Sequence, residues 1–527
     1  MMRKSFVWLI SFALMVGMVS AFAQKQTQKK RPARKAQKED TRVYLVHADV
    51  LHFDQLINPD ATILNGKVQF THQGARLYCD SAYFYEGSNS FEAFGHVKMV
   101  QGDTLSLVSD YAYYDGNEQM ARARYNVVLK HKKTTLYTDS LDFDRLYDNA
   151  YFFEGGKMID GNTTLTSDWG EYNTKSKMSV FNYDVKMRSP KFYLTTDTLY
   201  YDTRISMAHI VGPSDIYSGE SHIYSEQGYY DTKKDQAILV NRSVLNNQGK
   251  TMVGDSVYYD SKMGFSQAFR NVIYVDSVNK NKMMGNYGEY WENTGYAFCT
   301  DSAVAIDYSQ GDSLFVHADT LKVVTFNIET DSVYRKIHAF HHVRAYRTDV
   351  QAICDSLVYN SLDSCMTMYF DPVVWNYNQQ LLGDRIDVFM KDSLINRAHV
   401  IGNAFSIQQL KSDTALFNQV SSKEMFAYFV DGKIHETQAK DNVLIGYYFE
   451  EGDSVAIIYN YQETTEMRMF LKDRKLERVW TPKTSGTMYP PNQIPAEKKR
   501  LDGFAWYNDI RPMNRHDIFV WRPKKKL

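Results

Sequence analysis

The stretch TDTLYYD at residues 196–202 decides the fold, because similar stretches recur at a nearly fixed interval along the chain. Copies read CDSAYFY at 79–85, SDYAYYD at 109–115, TDSLDFD at 138–144, SDWGEYN at 167–173, SEQGYYD at 225–231 and GDSVYYD at 254–260. The second residue of each copy, which we call the anchor acid, recurs at one interval of 30 and five of 29 residues: Asp80, Asp110, Asp139, Asp168, Asp197, Glu226 and Asp255. Such a period is typical of stacked units that bury their apolar faces against one another.

Each repeat contains two predicted β-strands. After the anchor acid, apolar residues occupy alternate positions, such as Leu199 and Tyr201, as expected of a strand with one buried face. A polar turn such as 173–177 follows, and then a second strand such as 179–188. No helical periodicity of useful length occurs between residues 42 and 410. The sequence therefore predicts an all-β, elongated stack of tandem two-strand repeats over 42–410.

Weaker copies of the repeat extend the pattern on both sides. They read ADVLHFD at 48–54, GNYGEYW at 285–291, ADTLKVV at 318–324, CDSLVYN at 354–360 and GDRIDVF at 383–389. Residues 411–527 still alternate like strands at first, lose the anchor register, and end in LDGFAWYNDIRP at 501–512 and a short tail. We expect this β-rich C-terminal region to cap the stack and to act as a docking region.

The N-terminal residues are typical of an exported protein. Arg3 and Lys4 precede an apolar run, and a small-x-small pattern ends at Ala23, so residues 1–23 are predicted to be a signal peptide. Residues 24–41 carry seven Lys or Arg and no large apolar residue, which predicts a basic, flexible linker. That linker is either a solvated tether or a peripheral contact with anionic lipid headgroups. We expect the periplasm as the location, with association with the outer membrane as a further expectation.

Composition and motifs argue against several function classes. The chain has 61 Lys and Arg against 62 Asp and Glu, a balance that does not favour nucleic-acid binding. No catalytic motif or isolated acid–base pair occurs, so we expect no enzyme and no cofactor. His338, His341 and His342 form a cluster without a visible third ligand, and we expect no metal. Cys354 and Cys365 share a repeat, and their pairing stays open.

One aromatic residue in most repeats falls at the same position, and together these residues form a predicted column. Its members are the candidate site residues: Phe53, Phe84, Tyr114, Phe143, Tyr172, Tyr201, Tyr230, Tyr259, Tyr290 and Tyr359. The column is either the dry core of a closed solenoid or the lining of a groove between two sheets. A groove of this kind would require an apolar ligand. The many tyrosine hydroxyls favour a partly wetted edge.

The repeats resemble the OstA-like family, the periplasmic lipopolysaccharide-transport module also called the organic solvent tolerance N-terminal domain. The resemblance rests on the signal peptide, the tandem units and the strand EAFGHV at 92–97, and it covers roughly 42–410. The ending at 501–512 is similar to that of long OstA-like proteins of Bacteroidetes-type bacteria. The resemblance implies a β-jellyroll stack, open as a V, whose aromatic column shields lipid A acyl chains. It also implies partner OstA-type components that pair with the strand edges at the ends of the stack.

Three functions follow from these observations. The first is a non-enzymatic, periplasmic lipid-binding protein that shields lipopolysaccharide acyl chains during transport to, and assembly at, the outer membrane. The second is a closed structural or adhesive β-solenoid of the cell envelope. The third, a polysaccharide-active β-helix enzyme, lacks a clustered set of acids, bases or metal ligands.

Overall fold

A computed structural model describes residues 41–247, 249–309, 311–391, 394–451, 455–472 and 475–524. The predicted signal peptide and all but the last residue of the predicted linker lie outside the described residues. The described residues form a nearly all-β protein in which the strands pair antiparallel, mostly with their neighbours along the chain. This confirms the predicted elongated, all-β fold class.

The strands of the first half are mostly ten to twelve residues long. They are β1 Tyr44–His47, β2 Val50–His52, β3 Thr62–His72, β4 Ala75–Tyr85, β5 Ser90–Gln101, β6 Leu105–Asp115, β7 Met120–His131, β8 Thr134–Asp144, β9 Asn149–Phe152, β10 Gly156–Asp160, β11 Thr163–Ser167, β12 Trp169–Asn173, β13 Met178–Arg188, β14 Tyr193–Asp202, β15 Met207–Ser218, β16 Ser221–Asp231, β17 Gln236–Asn247, β18 Lys250–Asp260, β19 Phe265–Asp276 and β20 Asn281–Trp291.

The second half contains sixteen further strands among the described residues, of which β33 with 19 residues, β34 with 18 and β31 with 16 are the longest. The strands are β21 Tyr296–Thr300, β22 Val304–Asp307, β23 Leu314–His317, β24 Thr320–Phe326, β25 Tyr334–Tyr346, β26 Val350–Asn360, β27 Cys365–Tyr369, β28 Val373–Asn376, β29 Gln379–Leu382, β30 Arg385–Lys391, β31 Leu394–Gln409, β32 Phe417–Val430, β33 Lys433–Glu451, β34 Val455–Lys472, β35 Lys475–Trp480 and β36 Ser485–Tyr489. The described helices are α1 Ala496–Lys499 and the 3-10 turns Glu292–Thr294, Asn508–Ile510 and Asp517–Phe519.

Most long strands bend sharply in the middle, and we call each bend a corner. In β7 the corner consists of Tyr125 and Asn126, whose φ angles are 63° and 52°. The pairing register shifts at the same place, so the strand changes direction without leaving the sheet. The left-handed conformation is costly for side chains other than glycine, asparagine and aspartate. Most corners therefore have Gly, Asn or Asp at one of the left-handed positions, as at Gly95, Asn126 and Asp184.

The corners divide the sheet into two facing leaves. The first leaf contains 75–79 of β4 and 97–101 of β5, and the second leaf contains 81–85 of β4 and 90–94 of β5. Some corners interrupt the pairing, and the segments on the two sides of the corner are then separate strands. β9 and β10, for example, both pair with β8. The leaves pack face to face, since the ring centroids of Phe70 on the first leaf and Phe91 on the second lie 4.2 Å apart.

The anchor acids lie at the corners rather than at the starts of strands, where the sequence pattern had placed them. Asp80 is the sixth residue of β4, and its carboxylate lies 2.6 Å from Nδ1 of His96 in the corner of β5. Asp110 accepts a 2.6 Å hydrogen bond from the side-chain amide of Asn126 in the same way. The acids therefore stabilise the left-handed residues of the adjacent corner instead of capping turns.

Apolar side chains between the leaves form two successive core clusters. The first extends from Val43 to Val272, and the second from Cys299 to Met467. Strand β20, at 281–291, contributes no fully buried side chain to either cluster. The interior is therefore interrupted at this strand.

The sheet continues across residue 410, where we placed the boundary of the C-terminal region. β31 pairs along its length with β32, and β33 pairs with β34. Residues Ala496–Lys499 form the short helix α1. After β36, residues 490–524 turn back and cover the outer surface of the first leaf. We call residues 490–524 the strap.

Candidate functional site

The predicted aromatic column exists, and its members lie on the inner face of the second leaf, with the exception of Phe53. The side chains of Tyr114, Phe143, Tyr172, Tyr201 and Tyr230 are buried, whereas those of Phe84, Tyr259, Tyr290 and Tyr359 are only half-buried. Phe53 follows the end of β2 at His52 and is 58% exposed in a loop, so its assignment to the column was wrong.

The rings of the column occupy alternate strands and are separated by small residues. Tyr114 pairs with Ala121, which pairs with Phe143, and this alternation continues as far as Tyr290 and Ala297. Neighbouring strands lie about 4.8 Å apart, so successive rings are about 10 Å apart. The intervening Ala and Ser residues leave room for each ring to lie flat against the opposite leaf.

A polar cluster joins the edges of the two leaves near the N-terminal end. The hydroxyl of Tyr114, on the second leaf, lies 2.7 Å from Nδ1 of His72, at the end of the first-leaf arm of β3. Nε2 of His72 lies 3.1 Å from the carbonyl of Thr41 and donates there, so Nδ1 accepts the tyrosine proton. The buried guanidinium of Arg145 donates to the Tyr114 hydroxyl at 2.6 Å and to Gln101 at 3.1 Å. Burial raises the pKa of Tyr114, which stays protonated.

Similar contacts recur along this edge, and we call the cross-leaf hydrogen bonds of the column tyrosines the latches. The Tyr172 hydroxyl lies 2.8 Å from Nδ1 of His131, and the Tyr201 hydroxyl donates to Asp160 at 3.2 Å. Both acceptors belong to the first leaf, at the ends of β7 and β10. Burial raises the pKa of Tyr201 to about 12 and lowers the pKa of His131. The latches join the two leaves and keep the interior dry from Tyr114 to Tyr201.

The next contact along this edge combines an ion pair with a ring contact. Nζ of Lys191, in a first-leaf turn, lies 3.0 Å from the Asp235 carboxylate in a second-leaf turn. Asp235 also accepts a hydrogen bond from Tyr230. Burial alone would raise the pKa of Asp235, but its hydrogen bonds with Tyr230 and Lys191 hold it below its usual value. The ring of Phe192 lies 4.2 Å from that of Tyr230 and completes the closure.

Beyond Tyr230 the interior becomes more accessible. Tyr259, Tyr290 and the first-leaf residue Met283 are all half-buried against the core clusters. Arg335 is exposed near Tyr274 and Tyr290, close enough for its positive charge to oppose the burial-driven rise in the pKa of both tyrosines. An apolar interior bordered by a cation is therefore accessible around β18 to β20.

The strap covers the other face of the first leaf, and sequence analysis did not find its contacts. Gln380 is fully buried; its amide donates to the carbonyl of Ala505 at 2.7 Å, and its oxygen accepts from the backbone N–H of Tyr507 at 2.8 Å. Likewise, the side-chain amide of Gln419 donates to the carbonyl of Lys499, and its oxygen accepts from the backbone N–H of Leu501. The pattern Gln351–Trp375–Gln380–Ile407–Gln419 runs across paired strands of this face. Such a row of glutamines between apolar residues is the signal that could have indicated a bound segment.

The histidine cluster does not form a metal site. His341 and His342 are the two left-handed residues of one corner and lie near Asp355 and Asp319, at 3.3 and 2.9 Å. His338 stacks on Phe340 instead. The corner breaks the strand period, so His338 and His342 do not act together. Across the described ranges, no group of three or more His, Cys, Asp or Glu side chains is arranged to hold a metal ion.

The four cysteines are all buried and unpaired, so Cys354 and Cys365 form no disulfide. Burial raises the pKa of Cys79, Cys299 and Cys354 to about 12, which makes these thiols unreactive. In the part of the chain that the structure describes, no helix has the length and apolar character needed to cross a membrane.

Comparison with known families supports the resemblance found in the repeats. Residues 40–197 match the model of a family described as "OstA-like protein". Over these residues the chain is similar to that family. The match covers the first two latches and the column from Phe84 to Tyr172.

A comparison with solved structures gives a weaker likeness. It includes the crystal structure of LptH, described as the LptA homologous periplasmic component of the conserved lipopolysaccharide transport device from Pseudomonas aeruginosa. The identity is 20%, the match covers 20% of this chain and 82% of LptH, and the TM-score is 0.20. A likeness of this size does not bear on the function of the chain. No curated protein matches this chain.

Proposed function

We propose that this chain is a non-enzymatic periplasmic carrier that shields the acyl chains of lipopolysaccharide between its two leaves on the way to the outer membrane. The observation that carries the proposal is the apolar interior of the first core cluster, which is closed by latches from Tyr114 to Tyr201 and becomes accessible towards β20. The OstA-like character of residues 40–197 supports lipopolysaccharide as the lipid.

The chemistry of the interior suits acyl chains. The core clusters consist of apolar side chains, with a few buried serines such as Ser179 and Ser266 between the rings, and the latches and anchor acids lie at the leaf edges and the corners. An acyl chain between the leaves would contact rings and aliphatic groups, while a charged headgroup would stay at the edge near Arg335. Many similar, modest contacts favour movement along the column over tight binding at one point.

Loading of the closed part would require the leaves to separate. Each latch is worth about 1 kcal/mol net, so opening one repeat at a time costs far less than unfolding the stack. We infer that acyl chains enter around β18 to β20, where the aromatic residues are half-buried, and then displace the latches in sequence.

The ends of the sheet provide places for partner components. Among the described residues, β1 and β2 at the N-terminal end each pair with β3 alone, and β35 and β36 at the C-terminal end each pair with β34 alone. Unpaired strand edges of this kind accept a strand from another protein. We infer that other OstA-type transport components bind there.

The alternative is a closed structural solenoid. It is favoured by the complete burial of the column from Tyr114 to Tyr230 and by the hydrogen bonds of its hydroxyl groups. In that case the latches are permanent, and no lipid enters.

The test compares two neighbouring tyrosines of β18. Tyr259 points between the leaves, and Tyr258 lies on the outer face of the same leaf. The full chain, purified from a bacterial envelope, is analysed by mass spectrometry for bound lipid as wild type, Tyr259→Asp and Tyr258→Asp. We expect lipopolysaccharide on the wild type and on Tyr258→Asp, and its loss from a still-folded Tyr259→Asp. A lipid-free wild type would favour the closed solenoid.

A further inference from the structure

The strap ends in an exposed apolar surface, which we call the strap tip and define by Met513, Phe519, Val520 and Trp521. These side chains are 62%, 47%, 49% and 41% exposed. Four large apolar side chains within nine residues form a denser exposed group than isolated surface residues, which are common in any protein.

The strap tip is held in place by the body of the protein. The ring of Phe519 lies 4.9 Å from that of His317, and the ring of Trp521 lies 4.5 Å from that of His342. Ile518, which precedes Phe519 in the sequence, is buried. Each exposed ring is therefore fixed on one side and free on the other, so little conformational entropy is lost when the free side is covered.

The sequence around the strap tip is rich in basic residues. Residues 513–527 contain five Lys or Arg and a single acid, Asp517. Arg522 forms a two-contact ion pair with Asp517, at 2.5 and 3.1 Å, which neutralises that acid. Arg515 is exposed on the same loop, and Nζ of Lys524 lies 2.5 Å from the carbonyl of Asp371, close to the corner beside the strap tip. The strap tip therefore combines exposed apolar side chains with two basic residues that have no acidic partner within the strap, and Asp319 is paired with His342 beneath Trp521.

We propose that the strap tip is a contact site for a bilayer surface that contains anionic phospholipids. Trp and Phe side chains among Lys and Arg are the combination that binds the boundary between headgroups and acyl chains. Each basic residue near an anionic surface contributes about 1 kcal/mol, and the rings add the free energy of burial. Phe449, which is as exposed as these rings, is by contrast followed by Glu450 and Glu451.

This contact is separate from the proposed cargo groove. The strap lies on the outer face of the first leaf, and the column lies between the leaves. The strap tip would hold the second half of the stack against a membrane whether or not the interior contains lipid.

Vesicle flotation of the full chain tests the proposal. Vesicles of phosphatidylglycerol and phosphatidylethanolamine are compared with vesicles of phosphatidylcholine. The test variant carries Phe519→Ser and Trp521→Ser, and the matched control carries Tyr229→Ser and Phe449→Ser, which are equally exposed rings elsewhere. Thermal unfolding establishes that both fold. A second variant, Arg515→Gln with Lys524→Gln, removes two positive charges and keeps the aromatic rings of the strap tip.

We expect the wild type and the control to float with the anionic vesicles and to be released by high salt. The ring variant should lose binding by about tenfold or more. The charge variant should lose its preference for anionic over neutral vesicles. The proposal is overturned if the wild type does not float with anionic vesicles, if the ring variant floats as well as the wild type, or if the control loses as much binding as the ring variant.

Discussion

Tyr114 and His72 lie 42 residues apart in the chain and on opposite leaves, yet their side chains share a 2.7 Å hydrogen bond. The contact recurs between Tyr172 and His131, and between Tyr201 and Asp160, so the edge of the two-leaf structure is closed by a series of polar contacts. An interior bordered by individually weak bonds can open locally while the rest of the stack stays folded.

Removing one latch hydroxyl should loosen the leaves near the N-terminal end. Tyr114→Phe leaves Arg145 and His72 without a shared partner in a buried place, which costs about 1–3 kcal/mol. Hydrogen exchange of peptides from β3 and β6 should become faster. Tyr113→Phe, on the outer face of the same strand, is the control and should change little. Equal protection in wild type and Tyr114→Phe would mean that the latch does not hold the leaves together.

The corner glycines should differ from other glycines with positive φ. At Gly95, where φ is 71°, an added Cβ would lie 2.5 Å from the Asp80 carboxylate, whereas at Gly102, where φ is 59°, it would meet nothing within 4 Å. Gly95→Ala should therefore cost about 2–4 kcal/mol and Gly102→Ala about 1 kcal/mol. The hydrogen-exchange rates of the backbone amides of β5 measure both losses of stability.

A third substitution separates the steric clash from the backbone strain. Asp80→Ala removes the carboxylate that the new methyl group would meet, so in the Gly95→Ala background it should restore part of the lost protection. If Asp80→Ala adds to the damage instead, the close approach of anchor acid and corner is not the reason for the glycine.

The strap should depend on the buried glutamines beneath it. Gln380→Ala leaves the backbone groups of Ala505 and Tyr507, and the ring N–H of Trp375, without their partner. We expect faster tryptic cleavage of the strap after Arg515, by about tenfold or more. Gln379→Ala, one residue earlier and on the other face of the strand, should leave the cleavage rate unchanged. The same rate for both variants would exclude Gln380 as an anchor of the strap.

Stability should fall as the pH is lowered from about 7 to 5. Burial lowers the pKa of His131, so the folded state keeps this ring neutral while the unfolded state takes up a proton below its ordinary pKa of 6.5. The stabilisation is thus present above that value and is lost as the pH falls towards the folded pKa. His131→Gln should reduce the slope of unfolding free energy with pH by up to about 1.4 kcal/mol per unit.

An exposed histidine provides a control of opposite sign. A hydrogen bond with Asp80, followed by the charge of that carboxylate, raises the pKa of His96. Its contribution is present below the ordinary pKa and is lost as the pH rises through the folded pKa. His96→Gln should therefore leave the acid-side fall as steep as in the wild type or steeper. Urea unfolding midpoints at pH 5, 6 and 7 measure both variants, and a flatter fall in His96→Gln would contradict the assignment.

The sequence predicted the features that repeat along the chain. The anchor acids gave the period, and alternation at positions such as Leu199 and Tyr201 gave the strands and their buried face, because both signals are local. The column followed from these, except for Phe53, where the first repeat ends in a loop. The corners were missed because a pair such as Tyr125 and Asn126 reads as ordinary strand unless the anchor acid opposite it is known.

Contacts between distant segments could not be read from the same patterns. Gln380 and Ala505 are 125 residues apart, and nothing local in either segment indicates the other. The latches could not be predicted from the sequence either, because they depend on the distance between the two leaves. A period defines what each repeat contains, whereas the distance between the leaves depends on all the side chains packed between them.

The most direct test of the central claim places a photo-crosslinking amino acid at position 259 or, as the control, at position 258 of the full chain in living bacteria. Tyr259 faces the interior between the leaves, and Tyr258 faces away from it. The account predicts a lipopolysaccharide adduct from position 259 and none from position 258. Adducts from both positions, or from neither, would contradict a lipid path between the leaves.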